Sequence, residues 1–146
     1  MASKLRTVSW VILALMGAIT LLISFASAYL AYRGDYPIGG VPVAEVAAGR
    51  DGVLTALRGI RGTSAAYAAG YAVLYLFTVL GPYRRGEAWS WWAILAGALT
   101  IALLGLLRVP LLGIPFGQGG SGPVFTQAAV VVVGLLLDVG RVTAKR

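Results

Sequence analysis

Cysteine, histidine and asparagine are all missing from this chain of 146 residues. Without cysteine there are no disulfides, thiolate metal sites, iron–sulfur clusters or covalent thiol chemistry. Without histidine, haem ligation by imidazole, zinc catalysis through His and the usual general base near neutral pH are excluded as well. Without asparagine there is no N-glycosylation acceptor. Charge is also scarce: 12% of the residues are Asp, Glu, Lys or Arg, about half the roughly 25% of a soluble domain. So little polar surface cannot coat a globule in water.

What fills the chain instead is hydrocarbon. It is 59% hydrophobic before its 20 glycines are counted, whereas soluble domains reach roughly 45–50% apolar with glycine included. A membrane-crossing helix needs about 20 apolar residues, and the apolar runs here supply about four such helices. The expected fold is all-α: a polytopic membrane protein, a bundle of four transmembrane helices forming a single membrane domain over residues 1–146. The spans fall at about 8–32, 58–80, 89–109 and 123–139, with an outer loop at 33–50 and a glycine-rich outer loop at 113–122.

The first run, Val8 to Tyr32, follows Lys4 and Arg6 and contains Ala26-Ser27-Ala28, which fits the A-x-A pattern of signal cleavage. Its length of about 25 residues exceeds the 7–15 of a signal h-region, so a retained first span is expected. Residues 33–50 carry Arg33-Gly34-Asp35-Tyr36-Pro37, Gly39-Gly40, Pro42 and Gly49-Arg50. They read as a loop in which Val43 to Ala48 form one or two helical turns before Gly49 ends them. A second helix is expected from Asp51, as N-cap, to Leu80, where Gly81-Pro82 stops it. Its first third, with Arg58 and Arg61, projects from the membrane or lies in the interface. Trp89, Trp91 and Trp92 open the third span at interfacial depth, Pro110 ends or kinks it after Arg108, and Pro123 suits the first turn of the fourth.

Basic residues set the orientation. With the N-terminus inside, Lys4, Arg6, Arg84, Arg85, Arg141, Lys145 and Arg146 are cytoplasmic, and Arg33, Arg50, Arg58, Arg61 and Arg108 lie towards the outside. Because Arg58, Arg61 and Arg108 sit within helices, the flanking loops favour both termini in the cytoplasm. The asymmetry argues against a dual-topology transporter. Ten of the twelve basic residues are Arg, which suits a GC-rich genome, and the expected location is the plasma membrane of a prokaryote.

Arginine inside a membrane helix costs several kcal/mol unless it snorkels or is paired, which makes it a functional candidate by default. Arg58 and Arg61 share a helical face, with Arg50 two turns earlier on the same side and Arg108 at matching depth on the third helix. Either these arginines hold an anion through their guanidinium forks, or they snorkel to headgroups and pair with Asp35, Glu45 and Asp51 as a latch on the long loop. Tyr67, Tyr71 and Tyr75 recur every four residues, beside the small-residue series Gly62, Ala66 and Gly70. The tyrosines either line an amphiphilic cavity or are packing. Thr20, Ser24 and Ser27 share a face of the first helix, where hydroxyls bond back to their own helix. Gln127 faces Arg108 in the ligand-binding reading, and Asp138 is neutralised by Arg141 three residues on.

No chain of titratable groups crosses the membrane, which disfavours proton-coupled transport. Gly117-Gln118-Gly119-Gly120-Ser121-Gly122 lacks the Lys-Ser/Thr and the preceding strand of a phosphate loop. The +7 charge is divided between two membrane faces, so no nucleic-acid partner is expected. No nucleophile with its base and no cofactor ligand set can be assembled, so neither a lone enzyme nor a cofactor is expected.

Leu57-Arg58-Gly59 followed by small residues and tyrosines, Leu107-Arg108, and Gly113-Ile114-Pro115 before a last span resemble the DoxX-like group of small four-helix membrane proteins, over about residues 50–137. The resemblance implies a four-helix bundle and draws attention to Arg58 and Arg108. The group takes its name from a subunit associated with quinone-linked sulfur oxidation. Its members often carry an acid early in the last helix, where this chain has Gln127. The resulting expectation is a non-catalytic membrane protein binding an anionic amphiphile or lipid through Arg58, Arg61 and Arg108, with Tyr71, Tyr75 and Gln127 along the ligand. The alternatives are an oligomeric small-anion channel or transporter, and an accessory subunit of a larger membrane complex. The expected partners are membrane lipids and either further copies of the chain or such a complex.

Overall fold

The computed structural model describes residues 2–113 and 121–143, apart from the side chains of Ala2, Ser3, Arg108 and Ser121. The chain is mostly helical. Among the described residues, three helical stretches are long and apolar enough to cross a membrane: Lys4–Arg33, Asp51–Tyr83 and Ala88–Leu112. The chain divides into two compact units, one of Met1–Gly17 with Tyr75–Arg146 and the other of Ala18–Leu74.

The Ala18–Leu74 unit begins in helix α1 (Ala2–Arg33), which no proline interrupts. The segment expected to be plain loop holds a small hairpin, in which β1 (Pro37–Ile38) pairs antiparallel with β2 (Val41–Pro42). The cause is local. Gly39 and Gly40 have φ of 61° and 89°, and a tight hairpin turn with both central residues at positive φ is open to glycine at no steric cost. Helix α2 (Val43–Val46) follows, and left-handed Ala48 and Gly49 end it, as the sequence predicts for Gly49. Helix α3 (Asp51–Thr78) begins with the Arg50 carbonyl accepting from the N–H groups of Val53 and Leu54. Asp51 therefore lies in the first turn instead of capping it, where its charge complements the helix dipole. Ala31, Tyr36, Val43, Ala47, Ala65 and Ala72 are the buried apolar residues of this unit.

In the other unit the helix does not stop at Gly81-Pro82. It widens into a π-helical segment, Val79–Tyr83, with the Arg84 N–H bonding to the Val79 carbonyl. Proline has no N–H to donate, and its ring clashes with the carbonyl four residues back. A π turn bonds one residue further back and relieves that conflict without ending the helix. Termination comes at Gly86, φ 94°, where Gly86 N–H bonds to Tyr83 O and Glu87 N–H to Pro82 O, the pairing of a Schellman cap.

Helix α4 (Ala88–Leu106) carries the three tryptophans. Pro110 interrupts it indirectly: the carbonyl four residues before proline loses its donor, and here that is Leu106, where α4 ends. After Leu107 the chain resumes as α5 (Arg108–Leu112), closed by left-handed Gly113. The expected end or kink after Arg108 is thus a break at Leu107, with helix continuing past the proline. Helix α6 (Ser121–Leu136) starts two residues before the expected Pro123 and ends three before Val139, and a turn leads to α7 (Gly140–Thr143). At about 1.5 Å per residue its 16 residues rise about 24 Å, less than a hydrocarbon core of about 30 Å. The rest of the glycine-rich loop, 114–120, lies outside the described residues.

Helices α4 and α6 pack together. Trp91, Ile94 and Ala98 are buried on α4, and Val131 and Leu135 on α6. Trp91 Nε1, near the start of α4, donates to the Leu135 carbonyl near the end of α6 at 3.0 Å, so the two helices run antiparallel. Elsewhere the long helices turn large apolar side chains outward, with Leu22 69% and Leu103 62% exposed. Such surface suits contact with lipid.

Candidate functional site

Arg58 and Arg61 lie one turn apart on α3, and the structure brings both onto the last turns of α1 and the chain that leaves it. Arg58 Nη2 donates to the Gly34 carbonyl at 3.3 Å. Arg61 Nε donates to Ser27 Oγ at 3.2 Å, and its guanidinium lies over the Tyr36 ring, 4.0 Å from the centroid. Tyr36 is itself buried and fixed, its hydroxyl donating to the Leu57 carbonyl at 3.0 Å. Beside Arg61 in the chain, Gly62 leaves room for Tyr32, whose hydroxyl end occupies the place that a Cβ would take.

The loop is therefore latched to α3, as one reading of the sequence expects, but by different partners. Asp35, Glu45 and Asp51 do not pair with these arginines; among the described residues the ion pairs are Arg85–Glu87 and Arg141–Asp138. A carbonyl, a hydroxyl and an aromatic face hold the guanidinium groups and leave their charge uncancelled. Arg58 Nε is buried with no hydrogen-bond partner. Arg50, expected on the same face, donates Nε to the Ala47 carbonyl at 3.4 Å.

The remaining candidates are distributed differently. Tyr71 is half-buried on α3 in the same unit as the two arginines. Tyr75, Arg108 and Gln127 belong to the other unit; Tyr75 is buried, Gln127 is half-buried, and the Arg108 side chain lies outside the described residues. The tyrosine series is not one surface, since Tyr67 is 77% exposed and Tyr75 7%. The small residues divide likewise: Gly62 admits Tyr32, whereas a Cβ on Gly70 would meet nothing within 4 Å. On α1, Ser24 Oγ donates to the Thr20 carbonyl at 2.8 Å, the back-bonding expected of it.

In the unit of Met1–Gly17 and Tyr75–Arg146, a second polar cluster surrounds Tyr83, which is fully buried. Ser9, also fully buried, donates to the Gly134 carbonyl at 2.6 Å and meets the Tyr83 hydroxyl at 2.7 Å. Because the Ser9 proton is committed to a carbonyl, which only accepts, the Tyr83 hydroxyl is the donor to Ser9. The Arg141 guanidinium lies 3.9 Å from the Tyr83 ring centroid, donates to the Tyr83 carbonyl and pairs with Asp138. The Asp138–Arg141 pairing follows from sequence spacing; the part played by Ser9 and Tyr83 does not. Their one signal is a serine two residues into an apolar run and a tyrosine directly after Pro82.

Between helices, just before α4, the exposed Glu87 accepts from Trp89 Nε1 at 2.7 Å and from Arg85 Nε at 3.0 Å. The Trp89 bond first, and then Arg85, hold its carboxyl below the usual glutamate range. Among the described residues, no three His, Cys, Asp or Glu side chains gather where a metal could sit. No family model, curated protein or solved structure matches the chain.

Proposed function

We propose that this chain is a non-catalytic, multi-pass membrane protein that holds an anionic amphiphile or lipid headgroup at Arg58 and Arg61. One observation carries the reading. Two guanidinium groups on a membrane-length helix are fixed in place entirely by neutral partners. A fixed, uncancelled cation pair is what an anion site requires, and phosphate or carboxylate matches the guanidinium fork. Half-buried Tyr71 on the same helix offers an amphipathic surface to the attached chain. The proposal extends to four crossings in a prokaryotic plasma membrane with both termini cytoplasmic. It includes kinship with the DoxX-like group, on the strength of Leu57-Arg58-Gly59, Leu107-Arg108 and Gly113-Ile114-Pro115.

Native mass spectrometry of gently extracted protein tests the site. Wild type is expected to retain anionic lipid, Arg58→Gln and Arg61→Gln to lose it, and Arg58→Lys to keep part of it. Arg108→Ala, the third arginine singled out in the sequence, is the parallel variant. Equal retention by wild type and both Gln variants overturns the reading. Anion flux from liposomes containing this chain alone would replace it with the channel, and co-purification at fixed stoichiometry with a partner would replace it with the accessory subunit.

A further inference from the structure

A cavity of about 1080 Å³ opens in the unit of Met1–Gly17 and Tyr75–Arg146, away from Arg58 and Arg61 in the sequence and in a different unit. Arg6 and Trp10 of α1 line it, with Arg84 beyond the π segment and Asp138 and Arg141 near the chain's end. Its charge is one-sided. Three arginines face one aspartate, and that aspartate is already committed to Arg141. Glu87, the acid nearest Arg84 in sequence, is engaged by Arg85 and Trp89. Among the described residues no carboxylate pairs with Arg6 or Arg84.

The wall is also built. The Arg141 side chain is only 5% exposed, anchored by Asp138 and by the carbonyl and ring of Tyr83, and its Nε is buried with no hydrogen-bond partner. Arg84 lies over the Trp10 ring, 5.0 Å from the centroid. A cation held over a ring face is attracted by the ring quadrupole and spends none of its N–H donors on a hydrogen-bond acceptor there, so Trp10 positions Arg84 beside the cavity. The Arg6 guanidinium fills the space where a Cβ on Gly86 would lie, which brings a second cation to the same rim.

We propose that this cavity binds a phosphate-bearing anion, with Arg84 and Arg6 on the phosphate oxygens and the anchored Arg141–Asp138 pair as the fixed wall. The chemistry is shared by a lipid headgroup and by free phosphate. Full-length protein in nanodiscs separates the two sources. In discs of phosphatidylcholine mixed with phosphatidylglycerol, native mass spectrometry counts the phosphatidylglycerol retained. In discs of phosphatidylcholine alone, inorganic phosphate is titrated and Tm is followed. Retention without a Tm response assigns the headgroup, and a Tm response assigns free phosphate.

In either case Arg84→Gln and Arg6→Gln are expected to weaken binding about tenfold, the loss of one charge-assisted contact. Arg85→Gln removes the same charge from the same turn but from outside the cavity, and is expected to leave binding unchanged. Lipid held at Arg58 and Arg61 contributes equally to the Arg84 and Arg85 variants, so the difference between them reports this cavity alone. Absence of both responses in wild type, or equal losses in Arg84→Gln and Arg85→Gln, overturns the proposal.

Discussion

Ser9 is one hydroxyl with two obligations. It donates to the Gly134 carbonyl and receives the Tyr83 proton, so it ties the start of α1 to the π segment and to α6. Removing it takes a partner from a buried carbonyl and from a buried phenol together, whereas removing the phenol oxygen leaves Ser9 with its carbonyl. Hydrogen bonds within membrane proteins are worth about 0.6 kcal/mol on average and about 1.7 at most, and stranding buried groups adds to the loss. Ser9→Ala is expected to destabilise by about 1–3 kcal/mol and Tyr83→Phe by about 0.5–1.5, measured by unfolding in mixed detergent micelles. Equal costs would mean that Ser9 does not serve both partners. The glycines make a similar contrast. A Cβ on Gly17 would lie 2.7 Å from Leu76 Cδ2 and 2.9 Å from Tyr75 Cδ1, while one on Gly70 meets nothing within 4 Å. Gly17→Ala should therefore cost about 1–3 kcal/mol by overpacking, and Gly70→Ala should be neutral or stabilising by up to about 1 kcal/mol in the same assay.

At the scale of elements, the short connection before α4 depends on one carboxylate. Glu87 has a folded pKa below its unfolded one because Trp89 and Arg85 hydrogen-bond its charged form. Its contribution is thus fully present above the unfolded value of about 4.3 and is lost as the pH falls through the lower folded value. The indole N–H resonance of Trp89 is expected to shift with a midpoint below about 4.3, and Glu87→Gln to abolish that shift; a midpoint at or above 4.3 in wild type would contradict the assignment. Elements of this kind divide into those that local sequence specifies and those that it does not. Long apolar runs, the tryptophans opening α4, the Gly49 stop and the Asp138–Arg141 pair follow from composition and spacing, because each depends on neighbours within one turn. The passage of helix through Pro82 does not. Gly81-Pro82 reads locally as a stop, whereas the chain continues through a π turn whose Val79 and Tyr83 are buried. Sequence placed Arg58 and Arg61 on one face and offered an anion, lipid headgroups or nearby acids as their partners. Their actual partners, a backbone carbonyl, a serine and a tyrosine ring, depend on the hairpin that returns the chain, and opposite charge along the sequence carries no record of that return.

At the scale of the molecule, the number of crossings turns on α6, which is apolar but only 16 residues long. The proposed topology puts Arg6, Arg84 and Arg141 on one membrane face, and the structure gathers these three around one cavity. Between Arg84 and Arg141 the chain runs out along α4 and back along α6, since the start of α4 meets the end of α6 through Trp91 and Leu135. An excursion that returns to its starting face makes an even number of crossings, as the proposed topology of four crossings with both termini on one side requires. The absence of native cysteine makes the test clean, because any thiol is one that has been introduced. Ser3→Cys and Thr143→Cys are expected to react with an impermeant maleimide only from the cytoplasmic face, and Val41→Cys, in the hairpin, only from the opposite one. If Thr143→Cys instead labels together with Val41→Cys, α6 does not cross, and the orientation argued from the arginines fails with it.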